Sequence, residues 1–198
     1  MLFVITLLFS KEEIHIFINK LHFPFLDELM KYWTYLGDGV VLLIIILFAV
    51  LISFRHSIIL LGSYLISGMI VQVLKRFIFT EMPRPVKYFD LQNIDYQLYL
   101  VPDVHQHAWH SFPSGHTAAA FAVFFSLALL SKSKVLQLGC FALALGVAYS
   151  RLYLSQHFLI DVVAGSAIGM LSAWLLWWWM ERYQNTWLDK PLLVPKRR

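Results

Sequence analysis

Charge is what this 198-residue sequence has least of: Asp, Glu, Lys and Arg together make up 14% of it, against about 25% in an ordinary soluble domain. Hydrophobic residues reach 59%, where about 45–50% is usual, and the two figures exclude a typical soluble globular protein. Disorder is excluded as well, because so apolar a chain with a net charge of +4 meets neither compositional condition for an unfolded segment. Cysteine is almost missing: Cys140 stands alone, so no intramolecular disulfide forms. There is no internal repeat and no low-complexity tract, and the length suits one domain. The first apolar stretch, 1–9, lacks a preceding basic residue and a small-x-small cleavage site, so it does not read as a cleaved signal peptide.

What the sequence has is apolar runs. Five of them, 39–54, 57–79, 116–131, 135–149 and 158–180, are long enough to cross or nearly cross a hydrocarbon layer of about 30 Å. The expected fold is all-α, a membrane bundle of five transmembrane helices. Over 1–21, Ile14, Phe17, Ile18 and Leu21 follow Lys11-Glu12-Glu13 at helical spacing, which predicts an amphipathic helix at an interface. The whole chain, 1–198, reads as a single membrane-embedded domain.

Lysine and arginine orient the bundle. One set of span ends carries Arg55, Lys132, Lys134, Arg182, Lys190, Lys196, Arg197 and Arg198. The opposite ends carry Lys75, Arg76, Arg84, Lys87 and Arg151, and the N-terminal region holds Lys11, Lys20 and Lys31. The positive-inside rule places the first set in the cytoplasm, with the C-terminus inside and 80–113 outside. Trp174, Trp177, Trp178 and Trp179 at the inner end of the last run read as an interfacial belt.

Three separated segments meet on the outer face. In the third, Ser150-Arg151 is followed by five residues, His157, three residues and Asp161. A spacing of four at a helix start puts His157 and Asp161 on one face, where the carboxylate can take the imidazole N–H. The other ring nitrogen then keeps a free lone pair, as a nucleophile or base requires. The second segment, Ser111-Phe112-Pro113-Ser114-Gly115-His116, opens a span. Ser114 occupies an N-cap position, Gly115 permits close backbone approach, and helix N-termini of this kind bind phosphate. His116 in the first turn can give or take a proton. In the first segment, Lys75 and Arg84 flank a turn held by Pro83 and Pro85. Cations, helix amides and two histidines together suit phosphoryl transfer without a metal: the donors spread charge over the phosphoryl oxygens, one histidine attacks and the other protonates the leaving group.

With these elements in this order, the chain resembles the type 2 phosphatidic acid phosphatase superfamily, whose marks are a lysine followed by Arg-Pro, a Pro-Ser-Gly-His element, and Ser-Arg, five residues, His, three residues, Asp. Pro113-Ser114-Gly115-His116 and the run from Ser150 to Asp161 match without deviation, and the likeness covers about 60–170. The resemblance implies that His157 is a nucleophile that becomes a phosphohistidine, that Asp161 orients it, and that His116 is the general acid and then the base for water. It implies a phosphate clamp of Lys75, Arg84, Ser114, Gly115 and Arg151, and hydrolysis with no metal cofactor. One spacing departs: eight residues separate Lys75 from Arg84 where the family pattern has six, and Arg76 would leave seven. Lys75 is preferred and Arg76 is the substitute.

The implied partner is a lipid phosphate in the bilayer, with no nucleic acid, and the implied location is a bacterial inner membrane with the site on the periplasmic or outer side. Phosphatidylglycerol phosphate, phosphatidic acid, polyprenyl diphosphate and a lipid A phosphate all fit a site at the ends of apolar spans; oligomeric state stays open. Two rival readings exist. Asp103, His105, His107 and His110 hold good zinc-ligand types, though in no standard spacing. An anion-transporting bundle would also use intramembrane charge, and Gly165 and Gly169, four apart, predict close helix packing under either view.

Overall fold

Short polar side chains cap the starts of four of the helices. In the computed structural model, which describes residues 2–183 and 185–193, Ser10, Asp38, Ser53 and Ser133 each accept a hydrogen bond from a backbone N–H of the helix they open. The elements are α1 (Leu2–Leu8), α2 (Lys11–Asn19), α3 (Pro24–Trp33) continued by a 3-10 turn (Thr34–Gly37), α4 (Gly39–Ala49), α5 (Phe54–Val73) continued by a π turn (Leu74–Ile78), α6 (Pro85–Leu91), α7 (Gly115–Leu130), α8 (Lys134–Tyr153) and α9 (Leu159–Glu181). The described residues contain no strand, as an all-α chain requires.

Three helices, Phe54–Ile78, Lys134–Tyr153 and Leu159–Glu181, are long and apolar enough to cross a membrane. Pro24–Gly37 and Gly39–Ala49 pass the same test as a pair bent by 54°, giving up to four spans. The bend lies where Asp38 turns its carboxylate onto Val40 N and starts a new helix, so the run expected over 39–54 is present as α4, set at an angle to the helix before it. The run expected over 116–131 is α7, apolar but 16 residues long, which is about 24 Å of helix. Lys196, Arg197 and Arg198, used above to orient the chain, lie outside the described residues.

The N-terminal expectation needs correction. The single amphipathic helix over 1–21 is two helices, because Ser10 and Glu13 form a reciprocal capping box that restarts the chain at Lys11. The stretch 80–113 also holds a short helix, α6, started by Pro85 at its first position.

Helix α7 is the centre, packed against α9, α8 and α5. Glycines set its distance from α9: a Cβ on Gly165 would lie 2.5 Å from Ser114 O, and one on Gly169 2.4 Å from Ala118 O. The predicted close packing is therefore present, and it puts the first turns of α7 and α9 side by side. A buried network holds the same end together. The Asp27 carboxylate accepts from Tyr153 Oη at 2.5 Å and Tyr99 Oη at 2.9 Å, and pairs with His22 Nδ1 at 2.8 Å. It joins α3 to the end of α8 and to the connection between α6 and α7.

Candidate active site

Helix direction decides what gathers. The C-terminal ends of α5 and α8 and the N-terminal ends of α7 and α9 lie at one end of the bundle, bringing Lys75, Arg151, His116 and Asp161 together with the two turns that carry Arg84 and His157.

His157 stands in the turn before α9, whose N-cap is Phe158. It therefore precedes the helix on which its spacing to Asp161 had placed it. Its ring is 1% exposed, and Nδ1 lies 3.4 Å from Asp161 Oδ2. That oxygen also accepts from Phe158 N at 2.9 Å and Ser111 Oγ at 2.5 Å. Asp161, third residue of the helix, thus reaches back to the N-cap amide and takes the serine hydroxyl on the way. A carboxylate held by two further donors is fixed in place, so it can fix the imidazole: with Nδ1 as donor, Nε2 keeps its lone pair. Burial, with Arg84, Arg151, Lys75 and His116 around it, holds His157 well below the ordinary histidine range.

The cations approach from three directions. Arg151, in the last turn of α8 and 6% exposed, donates from Nη1 to Thr34 Oγ1 at 2.7 Å and from Nη2 to Gln156 Oε1 at 3.3 Å, while its buried Nε has no partner. Thr34 belongs to the 3-10 turn, where Gly37 has no room for a Cβ: it would meet Val147 Cγ1 at 2.6 Å. Arg84 donates from Nε to Trp109 O at 3.1 Å and from Nη1 to Gln156 Oε1 at 2.9 Å. Lys75 Nζ donates to His110 O at 2.8 Å, whereas Arg76 is exposed. The spacing departure has a physical basis here. Phe79 N bonds to Leu74 O at 2.7 Å across the π turn, which takes up one extra residue at the end of α5.

His116 occupies the first turn of α7 and lines a cleft of about 430 Å³ shared with Tyr64, Gly68, Gln72 and Gly39. Ser114 keeps its N-cap place but does not cap. Its hydroxyl pairs with Thr117 Oγ1 at 2.9 Å, and its amide donates to Asp161 O at 2.9 Å. A side chain that is fully buried between α7 and α9 has Thr117 nearer than the first-turn amides. Gly115 is not demanded by protein packing, since a Cβ there would make an ordinary 3.8 Å contact with Val71.

Ser111, Gln156 and Thr34 were missed from the sequence. Ser111 was legible as a polar residue ahead of the Pro-Ser-Gly-His element, but Gln156 and Thr34 carry no spacing signal. The zinc-type loop does not assemble: His105 and His107 rings meet edge-on at 4.7 Å, Asp103 pairs with Lys31 at 3.2 Å, and among the described residues no three His, Cys, Asp or Glu side chains form a metal-holding group.

Comparison with known proteins agrees with the geometry. Phosphatidylglycerophosphatase B of Bacillus subtilis is 31% identical over 77% of this chain and 74% of its own length. The crystal structure of LpxE from Aquifex aeolicus superposes with a TM-score of 0.71 at 28% identity, covering 83% of this chain and 93% of that one. Lipid A 1-phosphatase of Porphyromonas gingivalis is 37% identical over 36% of this chain, a stretch that spans 16% of that longer protein. The PAP2 superfamily model matches residues 56–185, which takes in the lysine of the π turn, both histidines and the aspartate. This chain belongs to the PAP2 superfamily.

Proposed function

We propose that the chain is a membrane lipid phosphatase, a phosphoric ester hydrolase that releases phosphate from a lipid phosphomonoester or diphosphate through a phosphohistidine on His157, without a metal ion. The observation that carries this is a buried histidine, held at Nδ1 by a carboxylate and surrounded by Lys75, Arg84 and Arg151. His157 Nε2 attacks phosphorus in line, and the bond from phosphorus to the lipid oxygen breaks as His116 gives that oxygen a proton. His116 then takes a proton from water, whose oxygen attacks phosphorus and breaks the P–N bond. Lys75, Arg84, Arg151 and the first-turn amides of α7 at Gly115 and His116, behind the Ser114 N-cap, hold the equatorial oxygens through both steps. Of the two candidates for the first cation, the contact with His110 O favours Lys75 over Arg76.

A lipid substrate is supported by the cleft beside His116, which runs along α5 past Leu65 and Met69. A phosphate can sit at the site while its hydrocarbon follows that wall into the bilayer. The lipid A and phosphatidylglycerophosphate substrates in the relatives' names are both of this form. In this reading the whole of 1–198 is one phosphatase domain, α7 acts as the fifth span, the C-terminus is cytoplasmic, and the site faces the periplasmic or outer side of a bacterial inner membrane.

The test is phosphate release by purified protein on phosphatidylglycerol phosphate, phosphatidic acid, a polyprenyl diphosphate and a lipid A phosphate, with and without chelator. Release is expected to survive chelation, and His157→Ala is expected to lower it by about 10³-fold or more with an unchanged melting temperature. Activity retained in that variant removes the nucleophile. Loss on chelation restored by zinc removes the metal-free mechanism.

A further inference from the structure

Gln156 precedes His157 in the turn between α8 and α9. Its side chain is 2% exposed, and its full hydrogen-bonding capacity is used. Oε1 accepts from Arg84 Nη1 at 2.9 Å and Arg151 Nη2 at 3.3 Å. Nε2 donates to His105 O at 3.0 Å and Gln106 Oε1 at 2.8 Å. Two cationic donors on one side and two acceptors on the other leave a single orientation for the amide.

A dipole between two guanidinium groups does what neither a charge nor an aliphatic chain can do. The amide oxygen holds the arginines together against their repulsion and leaves their positive charge intact for an anion. A carboxylate would bind them more strongly and cancel part of that charge. An aliphatic side chain would leave the charge but take away the acceptor that the two guanidinium groups share.

We infer that Gln156 is a positioning residue for phosphoryl transfer: it sets the spacing and orientation of Arg84 and Arg151 toward the phosphoryl group, and through Nε2 it fastens the 105–106 loop to that pair. The inference rests on the lipid-phosphatase reading above.

Two variants of the full chain in detergent separate the two properties of the amide. Gln156→Glu keeps an acceptor and adds a charge, so KM and the inhibition constant of inorganic phosphate are expected to rise about tenfold or more, with a smaller change in kcat. Gln156→Met keeps the charge balance and removes the acceptor, so kcat is expected to fall about tenfold or more, with a smaller change in phosphate inhibition. Identical losses in both variants would reduce Gln156 to a structural residue and overturn the inference. So would kcat, KM and phosphate inhibition all staying within about twofold of the parent protein. If the Met variant does not fold, the Glu variant decides through phosphate inhibition alone. A parent protein that releases no phosphate from any lipid removes the phosphatase reading instead, and the role of Gln156 with it.

Discussion

Arg55 and Arg151 stand at opposite ends of the bundle and are held in opposite ways. Arg55 meets both oxygens of Asp189, at 2.5 and 3.2 Å, and donates to Met180 O and Tyr183 O. Its charge is answered by a carboxylate, and the contacts tie the start of α5 to the end of α9 and to the segment that follows it. Arg151 is more deeply buried, yet its partners are a threonine hydroxyl and a glutamine amide, with Nε left over. Arg84 and Lys75 likewise meet only carbonyl and amide oxygens. The one carboxylate close by, Asp161, is turned to Ser111, Phe158 and His157. Burying a cation without a counterion is costly unless something anionic completes the site. Arg55 therefore uses its charge to fasten helices, while Lys75, Arg84 and Arg151 keep theirs without a carboxylate partner.

The comparison breaks most directly by mutation at both ends. Arg151→Gln is expected to lower phosphate release by about 10²–10³-fold while leaving the melting temperature unchanged or higher. Arg55→Gln is expected to do the reverse, with release kept and the midpoint lowered by about 2–4 °C. A larger thermal loss for Arg151→Gln than for Arg55→Gln would make both arginines structural.

A smaller effect sharpens the electrostatic half of the argument. Because His157 is held below the ordinary histidine range, its neutral, attacking form persists as pH falls, and the acid limb of kcat/KM lies below that range. Arg84→Gln removes one of the cations that disfavour the proton, so the limb is expected to move to higher pH. A limb that stays in place, or moves down, would show that Arg84 does not act on the histidine.

The smallest effect concerns a second buried histidine. His15 is 1% exposed, with Nε2 3.1 Å from Ser155 Oγ and Nδ1 unpartnered, and burial pushes it from 6.5 down to about 4. Between those values the unfolded chain binds the proton and the folded chain does not, so stability falls as pH falls from about 6.5 to about 4. His15→Gln is expected to flatten the melting temperature over that window without changing turnover at neutral pH. An unchanged slope would assign the acid sensitivity elsewhere.

These residues also mark how far the sequence could be read. The apolar helices α5, α8 and α9 were legible because apolar runs of about 20 residues have few other uses, and the bend between α3 and α4 was not, because Asp38 looks like an ordinary loop residue until its carboxylate caps α4. His116, His157, Asp161 and Arg151 stood out because ionisable groups are scarce in such a chain. Gln156 did not: it is uncharged, and its two arginines come from residues 72 and 5 positions away. His15 reaches Ser155 across 140 residues, a contact that no local pattern records.

The π turn at Leu74–Ile78 bears on how such proteins are found. A helix end that admits an added residue lets the interval between the lysine and the Arg-Pro pair vary while the ammonium group still reaches His110 O. Interval length is then a poor yardstick for this element.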